Sequence, residues 1–351
     1  MKKRIGAALA VLALAAALVF VARRWRSSGF SWQVFTGSLR NADWRWLALS
    51  LVLILVTYVG RAFRWEVMVR PLARKAGNKA NRAMSLWRIL KATCIGFTAV
   101  VLFGRAGEPV RPFLIAREEG VSFSSQIAAW VVERILDILM ILMIFGIALT
   151  QVSRSAIQPS PRIEAILQAG GAAAGFAGAA CLVLLLGLRL FHGRVQERLL
   201  EALTFLPDRL QSRIAGFLAA FGEGMASTRS GSSTLLLLVY SMIEWLVIAG
   251  CFFCAFRGFP ATARLGLTDI VIVLGFVSFG SVLQIPGLGG GMQIVTVLVL
   301  TEFYGIGLEA ASSIALVLWL ISFVVIVPVG LVLAFREGIK WHSLKHIGTE
   351  L

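Results

Sequence analysis

Two groups of polar residues interrupt otherwise apolar sequence, and both have the composition of an anion site. The first is Gly104-Arg105-Ala106-Gly107-Glu108-Pro109-Val110-Arg111-Pro112, followed in the next apolar run by Glu133-Arg134-Ile135-Leu136-Asp137. Guanidinium groups grip phosphate or carboxylate through paired N–H donors, and glycines let the backbone approach such a group closely. Glu133 and Asp137 lie four apart, and Arg134 lies three before Asp137, the separations at which side chains meet on one face of a helix. Charges about 10–15 Å inside a membrane helix are costly and are retained where they pair or border a water-filled cavity. The pattern predicts a charged cleft in which Arg105, Glu108, Arg111, Glu133, Arg134 and Asp137 meet an anionic substrate. A pair between Arg134 and Glu108 or Asp137 would also pin the loop, but four or more ionisable groups exceed what one pin needs.

The second group is Gln284-Ile285-Pro286-Gly287-Leu288-Gly289-Gly290-Gly291, with Gln293 two residues on. A proline followed by so many glycines cannot continue a regular helix, so the chain bends or unwinds there. Unwound backbone at membrane depth is tolerated where it is buried in protein or lines a cavity, which makes Gln284, Pro286, Gly289 and Gln293 candidate substrate contacts. Glu244 and Glu302 are further carboxylates in apolar surroundings, each suited either to relaying a proton or to satisfying a neighbouring helix. Arg61 and Arg64, near the end of an apolar run, suit contact with lipid headgroups by snorkelling.

The elements that must position these residues follow from composition. Hydrophobic residues make up 58% of the 351 and charged residues 15%, and the mean hydropathy is +0.84, so the chain is predicted to be a polytopic membrane protein. Lys and Arg number 34 against 18 Asp and Glu. They lie between the apolar runs, as the positive-inside rule and anionic headgroups require, which argues against a nucleic-acid partner. Four cysteines and three histidines are too scattered for a metal centre, and Cys251-Phe-Phe-Cys254 sits inside an apolar run without a second pair. No cofactor is expected.

Apolar runs predict spans at about 5–22, 46–69, 125–150, 167–188, 235–256 and 310–335. The first, behind Lys2-Lys3-Arg4, reads as an uncleaved anchor. The run at 92–104 is too short to cross, reaching about 20 Å against a core of about 30 Å, and is predicted to be re-entrant. Residues 270–285 and 292–303 form a hairpin around the glycine break, either re-entrant or a pair of tilted spans. Positive charge at 70–91, 189–229 and after 335 places these stretches, and both termini, in the cytoplasm. Ile214, Phe217, Leu218 and Phe221 recur at helical spacing, predicting an amphipathic helix that lies at the interface or packs on the bundle. The expectation is one all-α membrane domain over 1–351, with about six to eight spans. Its parts are an anchor and outer loop (1–45), a first half with the re-entrant segment (46–165), a span with a cytoplasmic amphipathic loop (166–234), and a second half with the glycine hairpin (235–351).

A short apolar segment, a broken backbone and a full span occur in that order twice. Gly96-Phe97 precedes Gly120-Val-Ser122 and Ala128-Ala129, while Gly275-Phe276 precedes Gly305-Ile-Gly-Leu-Glu-Ala-Ala311. The predicted topology relates the two units by inversion, as in many transporters.

Gly107-Glu108-Pro-Val-Arg111, the turn at Gly120 and Val-Val-Glu133-Arg134-Ile-Leu-Asp137 resemble the flippase-like family defined by the membrane part of lysylphosphatidylglycerol synthases. So do Ile285-Pro286-Gly-Leu-Gly289-Gly and the stretch from Gly305 to Ser312. The resemblance implies a lipid-translocating domain of a bacterial-type cytoplasmic membrane, whose relatives handle aminoacylated phospholipids, hopanoid-type lipids or polyprenyl-linked sugars. It points to Glu108, Arg111, Glu133, Arg134, Asp137, Pro286 and Gly289. Gln293 stands where relatives often carry Glu, and Trp319 where an Arg is common. With no aminoacyl-transferase domain in the sequence, the chain is expected not to synthesise a modified lipid. Membrane lipids are the expected partners, with a second copy or a lipid-synthesis enzyme as further ones. A membrane enzyme acting on a lipid phosphate and a non-transporting subunit are the competing readings.

Overall fold

The computed structural model describes residues 29–75, 85–154, 208–224, 231–281, 284–285 and 289–338, with scattered positions between 168 and 183. The expected spans at 5–22 and 167–188, most of the loop at 189–229 and the tail lie outside them in whole or part. In chain order the helices are α1 (Trp32–Arg40), α2 (Trp44–Lys75), α3 (Leu86–Phe103), α4 (Val110–Glu119), α5 (Phe123–Arg154), α6 (Asp208–Gly224) and α7 (Gly231–Arg257). They continue as α8 (Leu267–Gly280), α9 (Gly291–Glu302), α10 (Leu308–Trp319) and α11 (Ile326–Arg336). A 3₁₀ turn, Gly104–Gly107, joins α3 to α4, and a π-helical turn, Leu320–Val324, joins α10 to α11.

Among the described residues, five helical stretches are long and apolar enough to cross a membrane: Trp44–Leu72, Leu86–Gly107, Phe123–Val152, Ser232–Arg257 and Leu308–Arg336. The two shorter apolar helices are α8 and α9. The all-α membrane bundle read from the sequence is therefore the observed architecture. The predicted shortness of the run at 92–104 does not hold, because α3 begins at Leu86 and carries Arg88 and Lys91 within it. Those charges are accommodated by partners: Arg88 Nε lies 2.8 Å from Glu119 Oε1, and Lys91 pairs with Glu337.

The Arg88–Glu119 pair also fixes the path of the chain. It joins the start of α3 to the end of α4, so the chain leaves one level, turns at Gly104–Gly107 and returns to it. The close passage of the two arms is set by Gly96, where a Cβ would stand 2.5 Å from that of Arg111. Helices α8 and α9 make a second such hairpin. Tyr304 donates its hydroxyl to the carbonyl of Asp269 at 3.5 Å, joining the two open ends. Its turn holds a short antiparallel pairing, Gln284 with Gly290 and Ile285 with Gly289. Replacing Glu119 by alanine is expected to cost about 1.5–3 kcal/mol, the range for losing hydrogen bonds to a charged group. Faster hydrogen exchange confined to 110–119 would show it.

The hairpins open at opposite ends of the bundle. Helices α2 and α7 pack against each other and run antiparallel: Ser50 donates to the Cys251 carbonyl, Arg64 to Ser241, and the amide of Asp43 to the Gly258 carbonyl. The second hairpin starts just beyond Gly258, at the end where Ser31 bonds Glu309. The first opens at the other end, beside Glu337. Packing is reciprocal: α8 lies on α5, α3 lies on α11, α1 contacts α10, and α6 contacts α5. Each half thus covers the long helix of the other. The amphipathic helix α6 packs on the bundle, with Phe221 against its core.

Candidate functional site

The sequence brings its charges together at the level of the hairpin tips. Arg64, on α2, is completely enclosed, with 0% of its side chain exposed. Its guanidinium reaches Glu133 at 2.5 Å, Asp137 at 2.8 Å, Ser241 at 3.1 Å and Glu244 at 3.4 Å. One helical turn earlier, Arg61 binds Glu244 at 2.7 Å and lies 4.6 Å over the ring of Phe97. Glu133 also accepts from Trp65 Nε1 at 2.9 Å and from Arg111. The Arg111 guanidinium stacks over Trp65 at 4.5 Å. Arg134 binds Asp137 at 2.9 Å, with Glu133 at 3.7 Å.

This network backs a cavity of about 510 Å³. Arg61 and Tyr58 reach it from α2, Phe97 and Arg111 from the first hairpin, Arg134 and Asp137 from α5, and Trp245 from α7. The first hairpin's tip adds Arg105 and Glu108, the second hairpin gives Ser278, Ser281 and Met292, and the π turn gives Ser322 and Phe323. A π turn widens the helix locally and often marks a functional position. Here Thr98 bonds the carbonyl of Ile326 at 3.1 Å beside it. Among the described residues, Trp245 Nε1 and Ser322 Oγ have no hydrogen-bond partner. The arrangement gives one guanidinium-rich wall for an anion, uncharged donors on α7 and the π turn, and aromatic surface between. Among the described residues no group of three or more His, Cys, Asp or Glu could hold a metal.

Of the residues singled out in the sequence, Arg105, Glu108, Arg111, Arg134 and Asp137 line the cavity, while Glu133 stands behind its wall and holds two arginines. Arg64 does not reach headgroups. It is the centre of the buried network, because α2 continues to Lys75 and puts Arg64 well inside the helix. Arg61 faces the cavity. Gln293 is not a lining residue: its amide oxygen caps α9 by accepting from the Gly290 amide at 2.7 Å. Gly289 belongs to the short strand pairing. Pro286 and the side chain of Gln284 lie outside the described residues. Glu244 satisfies Arg61 and Arg64, and Glu302 is exposed at the end of α9. Trp65, at the end of an apolar run where tryptophan suits the membrane interface, is instead wholly buried against Glu133; Tyr58 and Trp245 were not singled out, since an aromatic in an apolar helix carries no sign of a polar partner.

The family model for the lysylphosphatidylglycerol synthase transmembrane region matches residues 7–330. No curated protein and no solved structure matches the chain.

Proposed function

We propose that the cavity holds the headgroup of a membrane lipid during passage between leaflets, for the chain belongs to the lysylphosphatidylglycerol synthase transmembrane-region family over nearly its whole length. That family makes it a multi-pass membrane protein of lipid-related type. The finer reading, a flippase-like translocator, rests on one observation: the arginine-lined cavity lies at the tips of two hairpins that open at opposite ends of the bundle. In a bilayer each hairpin is re-entrant, and rocking one half against the other would expose the cavity to one side and then the other. Ile138 lines the cavity and is an exposed apolar side chain, suited to contact with lipid tails while the headgroup sits among the arginines. Basic residues around the open end of the first hairpin favour the cytoplasmic side for that end and a bacterial-type cytoplasmic membrane.

The test is transbilayer exchange. The full chain, reconstituted in phosphatidylcholine vesicles, is expected to accelerate movement of tail-labelled phosphatidylglycerol. Arg134→Ala and Arg105→Ala should each slow it by about tenfold or more, the equivalent of one lost charge-assisted hydrogen bond. Both side chains border the cavity, so the variants should elute and melt as folded protein. Unaltered exchange in two folded variants would remove the cavity from the lipid's path.

A further inference from the structure

The three carboxylates of the buried network are held unequally. Glu133 accepts hydrogen bonds from Arg64, Trp65 and Arg111, and Asp137 accepts one from Arg64 and pairs with Arg134. The Glu244 side chain is 2% exposed, yet neither of its oxygens has a hydrogen-bond partner among the described residues. Arg61 Nη2 stands 2.7 Å away without the alignment of a hydrogen bond, and Arg64 Nη1, 3.4 Å away, is already shared by Glu133 and Asp137. Arg61 also has a second outlet. It lines the cavity, keeps 16% of its side chain exposed and rests on the ring of Phe97. The other titratable groups facing Glu244 are Tyr58 from α2 and Glu133 and Asp137 from α5, and none of them can serve as its counter-ion. On α7 itself Tyr240, one turn away, stacks on Phe63. Helices α8 and α10 pack on α7 as well, but their charged residues, Asp269 and Glu309, sit in their first turns. Those turns lie at the end of the bundle near Gly258, about 20 Å along α7 from Glu244.

We propose that Glu244 is a proton-carrying site and that, on the translocation reading of the cavity, each anion crosses together with one proton. A carboxylate enclosed away from water keeps its charge only while a cation faces it. When an anion in the cavity takes the N–H groups of Arg61, Glu244 loses its counter-ion, and a proton passes from cavity water to one of its oxygens. The loaded state holds Arg61 with the anion and Glu244 as the neutral acid. On release, Glu244 returns the proton to water and pairs with Arg61 again. An anion without the proton would strand the Glu244 charge, and a proton without the anion would strand that of Arg61. Both are costly in a buried site, and that cost ties the two movements together. Anion and proton use one cavity, so they travel in the same direction. A singly charged anion and a proton carry no net charge between them, which makes a pH difference the driving force and leaves a membrane potential without effect.

The experiment places the full chain in phosphatidylcholine vesicles with tail-labelled phosphatidylglycerol and a pH difference across the membrane. Wild-type protein is expected to enrich the label in the leaflet facing the alkaline side, beyond protein-free vesicles under the same gradient. One proton per lipid sets the limit at about tenfold per pH unit. A potassium diffusion potential at equal pH should give no enrichment. Glu244→Gln should remove the response to the pH difference, and Glu244→Asp, which keeps a titratable group, should retain it. An even distribution in the wild type under the gradient, or enrichment that persists in folded Glu244→Gln, would overturn proton coupling at Glu244 while leaving translocation intact. Should no lipid move, the translocation reading fails by itself, and proton uptake decides the coupling. Phosphatidylglycerol added to the detergent-solubilised wild type across a pH series, in weak buffer with a pH indicator, should draw up to about one proton per bound lipid, with affinity falling as pH rises, as linkage demands. Wild-type protein that takes up no proton anywhere in the series overturns the proposal, and this readout does not depend on whether Glu244→Gln folds.

Discussion

Replacing Glu133 by alanine is expected to lower the stability of the bundle by about 3–5 kcal/mol, the usual cost of stripping a buried ion pair of one partner. Glu133 is wholly enclosed and joins three elements: Arg64 and Trp65 from α2, and Arg111 from the first hairpin. Arg64 would retain Asp137 and Glu244. Among the described residues Arg111 has no second ion-pair partner, so its buried charge would be left against the ring faces of Trp65 and Phe97. Glu133→Gln keeps the shape and one acceptor oxygen, and should cost markedly less. A melting curve in detergent for the two variants checks the order; an alanine variant as stable as the wild type would mean that the network carries no folding energy.

That dependence explains why the site was only half legible in the sequence. Spacing within one helix placed Glu133, Arg134 and Asp137 together, since residues three and four apart must share a face. It could not say that their chief partner is Arg64, 69 residues earlier than Glu133. The apolar run read in the sequence stops near residue 69, which leaves Arg64 near a helix end, where snorkelling is the ordinary behaviour of an arginine. The helix continues through Arg70 and Pro71 to Lys75, and the added turns carry Arg64 to a depth where only buried carboxylates can satisfy it. Helix α3 hid its length in the same way. Arg88 and Lys91 look like a flank in the sequence, but they lie within the helix and their charged ends find Glu119 and Glu337. Backbone breaks were easier to read, because glycine and proline act locally. Which side chain fills a break is a tertiary matter: Gln293 caps a helix where its position beside the glycines suggested a substrate contact.

Gly107→Ala should be among the most damaging small substitutions in the chain. A Cβ at Gly107 would collide with the backbone carbonyl of Ala99 and stand 2.6 Å from the amide nitrogen of Val100. Those atoms belong to the hydrogen-bonded body of α3 and cannot rotate aside as a side chain would. The tip of the first hairpin would have to move outward, taking Arg105, Glu108 and Arg111 with it. Overpacking of this kind costs about 1–3 kcal/mol, and here it also separates Arg111 from Glu133 and from the Trp65 ring. Lipid movement is therefore expected to fall at least as far as in Arg134→Ala, with faster hydrogen exchange around 104–112. Gly60→Ala is the control: it lies within α2 with nothing inside 4 Å of its would-be Cβ. There alanine should be neutral or stabilise by up to about 1 kcal/mol, since it favours helix over the unfolded chain. If Gly107→Ala kept both its melting temperature and its exchange rate, the tip would have room that the close approach to Ala99 denies it, and the arginines it carries would not be held in place by that contact.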